Sequence, residues 1–401
     1  MKVLFVFGTR PEAIKMAPVI EATARQPDSF DTRICVTAQH REMLDHVLTV
    51  FGIQPDYDLD LMTQEQTLSR ITARTLDALD TVICKENPDW LLVQGDTTTA
   101  MTASLVAYYH RVKVGHIEAG LRTHDKYQPF PEEINRRIVS TLVDLHFAPT
   151  ESAQVNLVRE GIDKRNIIVT GNTVIDALLH AVQLDYDIGT GPLAGIPFDK
   201  QIILVTAHRR ENFGEPIRAI CKALDVIAKR YASDVHVVYP VHLNPNIWEP
   251  VHALLCGASN ITLLEPLDYL SFVHLMNRSH IVLTDSGGLQ EEAPSLGKPV
   301  LVLRNKTERP EAVEAGTARL VGTKTERIIK ETERLLGSSA AYEQMVNAVN
   351  PYGDGHASER ICRALLTTTD EKSGVRTKKS PLLTGDELSR AVSNLHGMVD
   401  S

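Results

Sequence analysis

Positive charge, long apolar runs and paired cysteines are what this 401-residue chain has least of. Its 42 Lys and Arg stand against 51 Asp and Glu, a formal charge of -9. That balance opposes the broad phosphate-backbone footprint of a nucleic-acid binder, so no nucleic-acid partner is expected. A small phosphorylated ligand stays open, because it needs only a few local cations. No apolar run reaches the ~20 residues of a membrane span, which argues against membrane insertion. The five cysteines, Cys35, Cys84, Cys221, Cys256 and Cys362, are scattered, with no CxxC pair and no Cys/His group at zinc spacing. They read as reduced thiols rather than as a disulfide framework or a metal site. The opening MKVLFVFGTRPEA passes from a short apolar run straight into a loop. It reads as a first β-strand, not a signal peptide, and a cytoplasmic location is expected.

What is present is an alternation of short β-branched runs with longer helix-period segments, the mark of parallel sheets covered by helices. Strands are predicted at 3–7, 33–37, 90–93, 112–116, 146–148 and 167–169, and again at 202–206, 235–239, 261–264, 281–284 and 300–303. Between the two series lies a Gly- and Pro-rich stretch, 189–197, that suits an interdomain connection. The fold class is therefore α/β, with two Rossmann-like domains at about 1–171 and 172–355 and an active site in the cleft between them. The residues from 367 to 401 are polar and lack a core-forming period, and are read as a flexible tail ending in a short helix.

In open α/β sheets ligands bind at the carboxyl ends of the strands. Here those positions are repeatedly polar: GTRPE, GDTTT, EAGLRT, HRREN and DSGG. Asp285-Ser-Gly-Gly288 joins a strand to a helix, where two glycines permit close backbone approach and the helix start offers free N–H groups to an anion. A tight turn capped by Ser286 or Asp285 accounts for it equally well. Glu291 and Glu292 lie in the first turn; for Glu291 the helix dipole suffices, whereas Glu292 is placed to hold a ribose beside a diphosphate.

Gly8-Thr-Arg-Pro-Glu12 lacks the three glycines of a dinucleotide fingerprint, which argues against NAD. Pro11 suits the first helical position, which sets Arg10 just ahead of a helix start and Lys15 one turn on, on what alone would be a solvated face. Asp96 reads by default as the N-cap of a helix over 97–109. Glu118, at a strand end and followed by Ala-Gly, has no capping excuse, and a site role is the better reading. Glu132 and Glu133 lie four residues before Arg136 and Arg137, the spacing of two exposed ion pairs. The polar and aromatic loop before them could fold over a ligand. His208 and His242, both at strand ends, suit phosphate contact or proton transfer, with a structural histidine as the rival in each case.

Taken in order, FGTRPEAIKMAP, VTAQHREML, VQGDTTT, GHIEAGLRT, PFPEEINRR, TGNTVIDAL, VTAHRREN, YPVHLNPN, LTDSGGLQEEAPSLGKPVLVLR, TERPEAVEAGT and NPYGDG resemble the non-hydrolysing UDP-N-acetylglucosamine 2-epimerases across about residues 1 to 366. The resemblance implies a GT-B-like fold in which a last helix, about 356–366, crosses back to the first domain. It implies UDP held mainly by the second half: Arg10, His208, Ser286, Gly287, Gly288 and Arg309 around the diphosphate, Glu292 at the ribose and Phe272 at the uracil. Lys15, Asp96, Glu118, Glu132 and Arg136, with His208, would surround the sugar. A homodimer, and UDP-N-acetylglucosamine both as substrate and as activator, are further implications, with Gln39, His40, Arg70 and His242 at the activator site.

The implied reaction is epimerisation at C2 through loss of UDP to a glycal and its re-addition, supplying UDP-N-acetylmannosamine for cell-surface polysaccharide. It needs cationic and N–H stabilisation for the leaving diphosphate and an acid and a base near C2, here Asp96, Glu118 and Glu132. No metal or other cofactor is called for. The rival readings are a GT-B glycosyltransferase, a hydrolysing epimerase that releases free sugar, and a catalytically dead nucleotide-sugar sensor.

Overall fold

The structure is a computed structural model, and it describes residues 1–37, 41–61 and 67–370. Gln39, His40 and the segment 371–401 lie outside the described residues. Seven strands form the first sheet: β1 (Lys2–Phe7), β2 (Asp31–Val36), β3 (Tyr57–Asp58), β4 (Trp90–Gln94), β5 (Lys113–Ile117), β6 (Leu145–Ala148) and β7 (Ile167–Val169). Six form the second: β8 (Gln201–Thr206), β9 (Val235–Pro240), β10 (Ile261–Leu264), β11 (Ser279–Thr284), β12 (Val300–Val302) and β13 (Ala318–Leu320).

The first sheet runs β3-β2-β1-β4-β5-β6-β7 and the second β10-β9-β8-β11-β12-β13. Every pairing is parallel. Each sheet thus has the doubly wound order, and the expected pair of Rossmann-like α/β units is what the chain forms. Parallel strands covered on both faces read as unbroken apolar runs, and β1, KVLFVF, is buried from Val3 onward. β3 and β13 escape the sequence pattern because Tyr57–Asp58 is two residues long and Ala318–Leu320 is interrupted by the exposed Arg319, so neither forms an apolar run.

The two units share a core. Helix Thr173–Gln183 packs on helix Arg10–Ala24 of the first half and on helices Tyr269–Arg278 and Gly287–Ser295 of the second. Its Ile175, Leu178 and Ala181 are fully buried in a cluster that also holds Phe5, Val19, Val273 and Leu289. The stretch 189–197 is also drawn in, with Leu193 and Ile196 buried. The chain returns through 350–356 to the helix Ala357–Asp370, which packs on Arg10–Ala24 and Thr173–Gln183. This helix continues past Leu366, where the sequence reading ends it. The hydroxyls of Thr367 and Thr368 bond back to the carbonyls of Arg363 (2.6 Å) and Ala364 (2.8 Å), so polar side chains there do not break the helix.

The buried Asp176 carboxylate fixes the start of that last helix. It accepts from the N–H groups of Ala357 (3.2 Å) and Ser358 (2.8 Å) and from the Ser358 hydroxyl (2.6 Å). Replacing Asp176 by Ala leaves these donors unpaired, and we expect a loss of about 1–3 kcal/mol in urea unfolding, with faster amide exchange over 357–366. Unchanged exchange there would show that packing alone holds the helix.

Candidate functional site

The strand orders put two switch points face to face, between β1 and β4 and between β8 and β11. At the first, Thr9 caps helix Arg10–Ala24, and Glu12 completes a capping box. Glu12 takes the N–H groups of Gly8 (3.0 Å) and Thr9 (2.8 Å) on one oxygen and the Thr97 hydroxyl (2.6 Å) on the other. The loops after β1 and β4 are therefore locked together, and Arg10 is presented at the helix start.

Asp285 does the same work in the second half. Fully buried, it accepts from the N–H groups of His208 and Arg209 and from Asn212 Nδ2, each at 2.8 Å. It is thus not a cap for the next helix, and Ser286, which is at the cap position, makes no capping bond with its side chain. A Cβ on Gly287 would lie 3.6 Å from Arg209 Nη2 and 3.9 Å from Arg309 Cζ. One on Gly288 would lie 3.1 Å from Glu292 Oε1. The helix start therefore brings together N–H groups of its first turn, the Ser286 hydroxyl and two guanidinium groups, Arg209 paired with Glu308 and Arg309 with Glu291, an arrangement able to receive an anion.

Between the switch points lies a cavity of about 630 Å³. Arg10 and Lys15 line it from the first half, and His208, His242, Phe272, Ser286, Gly288 and Glu292 from the second. His242 stacks on His208 with ring centroids 5.7 Å apart, so the structure draws it into this cavity. Arg70 is exposed near the start of helix Leu68–Glu86 and does not line it. Burial pushes the His208 imidazole below its ordinary value, as do His242 and Arg209, against the pull of Asp285 at 3.4 Å.

Behind the cavity wall runs a chain of alternating charge. Lys15 Nζ lies 2.6 and 2.7 Å from the two Glu118 oxygens, so it is no solvated surface residue. Gln94 Nε2 also donates to Glu118. Asn172 Nδ2 donates to Glu118 (3.0 Å) and to Glu291 (2.7 Å), and Glu291 is paired with Arg309. Glu118 has a φ of 65°, a costly conformation for a residue with a Cβ, which marks it as held in place by its surroundings. Burial raises its carboxyl, but Lys15 and Arg309 outweigh burial and hold it below the usual range.

Asp96, Glu132 and Arg136 also lie off the cavity wall. The cap of helix Thr98–Tyr109 is Thr97, not Asp96, which leaves the Asp96 carboxylate free to pair with Arg136. Neither exposed ion pair expected from the spacing forms. Arg136 turns to Asp96 and to Glu133 (3.6 Å), and Arg137 to Glu160 (3.4 Å). Glu133 is fully buried and accepts from the N–H groups of Thr123 and His124, both at 3.1 Å, which pins the loop after Glu118. Glu132 keeps a buried Oε2 without a partner among the described residues. Sequence reasoning missed Gln94 and Asn172, which appear only as polar residues inside VQGDTTT and TGNTVIDAL, and it read Asp285 as a turn cap and Glu291 as an acid favoured by the helix dipole, not as ties to other elements.

A family model described as UDP-N-acetylglucosamine 2-epimerase matches residues 22–366. A protein of Yersinia pestis named UDP-N-acetylglucosamine 2-epimerase is 56% identical over 373 residues, 91% of this chain and 98% of that protein. The crystal structure of UDP-GlcNAc 2-epimerase from Neisseria meningitidis bound to UDP-GlcNAc is 51% identical, covers 92% of this chain and 100% of its own, and superposes with a TM-score of 0.81. The Methanocaldococcus jannaschii enzyme in complex with UDP-GlcNAc and UDP is 34% identical over the same shares, with a TM-score of 0.73.

Burial, reinforced by the neighbouring Glu291, lifts the Glu292 carboxyl to about 7, against the pull of Lys15 and Arg10. A carboxyl raised on folding binds its proton more tightly in the folded state, so it costs stability as pH rises from about 4.5 towards 7. We expect Glu292→Gln to gain stability relative to the parent between pH 5 and pH 8, read from urea unfolding at both values. A constant difference between the two proteins would contradict the raised value.

Proposed function

Because the chain belongs to the UDP-N-acetylglucosamine 2-epimerase family, we propose that it interconverts UDP-N-acetylglucosamine and UDP-N-acetylmannosamine without hydrolysing them. The observation that carries this reading is one cavity whose second-half wall suits a nucleoside diphosphate and whose first-half wall includes Arg10 and Lys15, the latter backed by Glu118. In this reading the Ser286 hydroxyl, the N–H groups of Gly287 and Gly288, Arg10, His208 and Arg309 receive the diphosphate. Glu292 accepts from the ribose hydroxyls, and Phe272 packs on the uracil.

The C2 hydrogen of the sugar has no adjacent carbonyl to acidify it. Elimination solves this: the C1–O bond breaks with its electron pair going to UDP, a base removes the C2 proton, and a C1=C2 glycal results. Re-addition of UDP at C1, with a proton delivered to the opposite face of C2, gives the epimer. The cationic cradle stabilises the charge that develops on the departing diphosphate. Glu118, held below the usual carboxylate range by Lys15 and Arg309 against burial, is ionised at neutral pH, the form that a base requires. Asp96 and Glu132 complete the acid/base set, with Arg136 orienting Asp96. Approach of the two halves would shut water away from the intermediate. The product would be an activated N-acetylmannosamine donor for surface polysaccharide.

Incubation with UDP-N-acetylglucosamine in D2O is expected to give both epimers with deuterium at C2, read by NMR and mass spectrometry. Epimer without deuterium would exclude elimination, and free sugar as the main product would mark a hydrolase. Asp96→Asn, Glu118→Gln and Glu132→Gln should each lower turnover by about 100-fold or more while UDP still binds in calorimetry. Turnover near the parent's in all three would overturn the acid/base assignment.

A further inference from the structure

Asn172 is where the two halves meet in the polar layer. Its Nδ2 donates one hydrogen to Glu118 Oε1 of the first half (3.0 Å) and the other to Glu291 Oε2 of the second (2.7 Å). Its Oδ1 accepts from Val174 N (3.2 Å) and so caps helix Thr173–Gln183. Its own N–H donates to the carbonyl of Tyr352 (2.6 Å). The residue is buried, and every polar group of its side chain is committed.

Capping alone does not require Asn. Ser, Thr or Asp would cap as well, but none of them offers two N–H donors besides the acceptor. The second demand is therefore the bridge between two carboxylates, each of which has its own cation, Lys15 for Glu118 and Arg309 for Glu291. The bridge also occupies the crossing point of the chain. Gly171, at φ +86°, lies against Gly353, so that a Cβ there would sit 3.1 Å from Gly353 Cα. The two passages between the halves, at 171–172 and 352–353, thus touch at Asn172.

We propose that Asn172 is a positioning residue, holding the Glu118 carboxylate in place and tying it to the Glu291–Arg309 pair on the diphosphate side, so that the proton-transfer group and the leaving-group cradle keep one register. This rests on the reading of the cavity as the epimerisation site. The amide acts through Glu118 and Glu291 and need not touch the sugar.

The full-length variants Asn172→Ser and Asn172→Asp both keep a capping acceptor and both lose the two N–H donors. For Asn172→Ser, kcat should fall about 10- to 100-fold, the scale of a displaced catalytic group, while KM for UDP-N-acetylglucosamine and Kd for UDP stay within about threefold of the parent's. Asn172→Asp, which sets a third carboxylate beside the other two, should lose more. A residue that only caps a helix would leave kcat intact in both, and that result overturns the proposal. So does loss of kcat in step with UDP affinity and melting temperature. If the parent itself makes no UDP-N-acetylmannosamine, the cavity reading fails first, and the positioning role with it.

Discussion

The arrangement of this molecule turns on a largely buried ion pair, Lys15 with Glu118, set beside the cleft between the two halves. Taking two charges out of water is expensive, and attraction between them repays the cost only when their remaining hydrogen-bonding capacity is met. Here it is met from both sides. Gln94 and Asn172 donate to Glu118, and Asn172 passes the network to Glu291 and Arg309. A polar layer of this kind allows little slack, because each group removed strands another. It therefore adds a specific polar register to the contact between two units that also share a hydrophobic layer.

The two switch points are built by the same device. A buried carboxylate, Glu12 in one half and Asp285 in the other, collects N–H groups from the loop after the unit's first strand and joins it to the loop after the fourth. Strands β1 and β4, and β8 and β11, are hydrogen-bonded neighbours, so their loops emerge side by side and need such a tie to hold one shape. The outcome differs between the halves. In the first the tie presents Arg10 and Lys15; in the second it frees Ser286 and the helix start for an anion.

Much of the fold is legible in the chain because apolar runs and helix periods report burial directly. The strand ends were legible too, and with them the polar part of the cavity wall, Arg10, His208, His242 and Ser286. What escaped was set by competition among polar partners. Asp96 reads as a cap, yet Thr97 takes that place and the aspartate turns to Arg136. Glu132 and Glu133 stand at ion-pair spacing from Arg136 and Arg137, yet Asp96 and Glu160 draw the arginines away. Local spacing cannot foresee a better partner on another element. Glu291 shows the same limit: its place in a first turn explains it sufficiently until Arg309 and Asn172 are brought to it.

The sequence by itself determined two doubly wound α/β units and a set of polar strand ends, because hydrophobic periodicity and strand-loop-helix succession are local properties of the chain. Only the tertiary structure decided that Lys15 meets Glu118 across 103 positions, and that Asn172 joins Glu118 to Glu291. Such pairings depend on which loops the sheet order brings together and on the burial that makes an unpaired charge intolerable. Through Asn172 the pair of Lys15 and Glu118 is joined to the second half of the site.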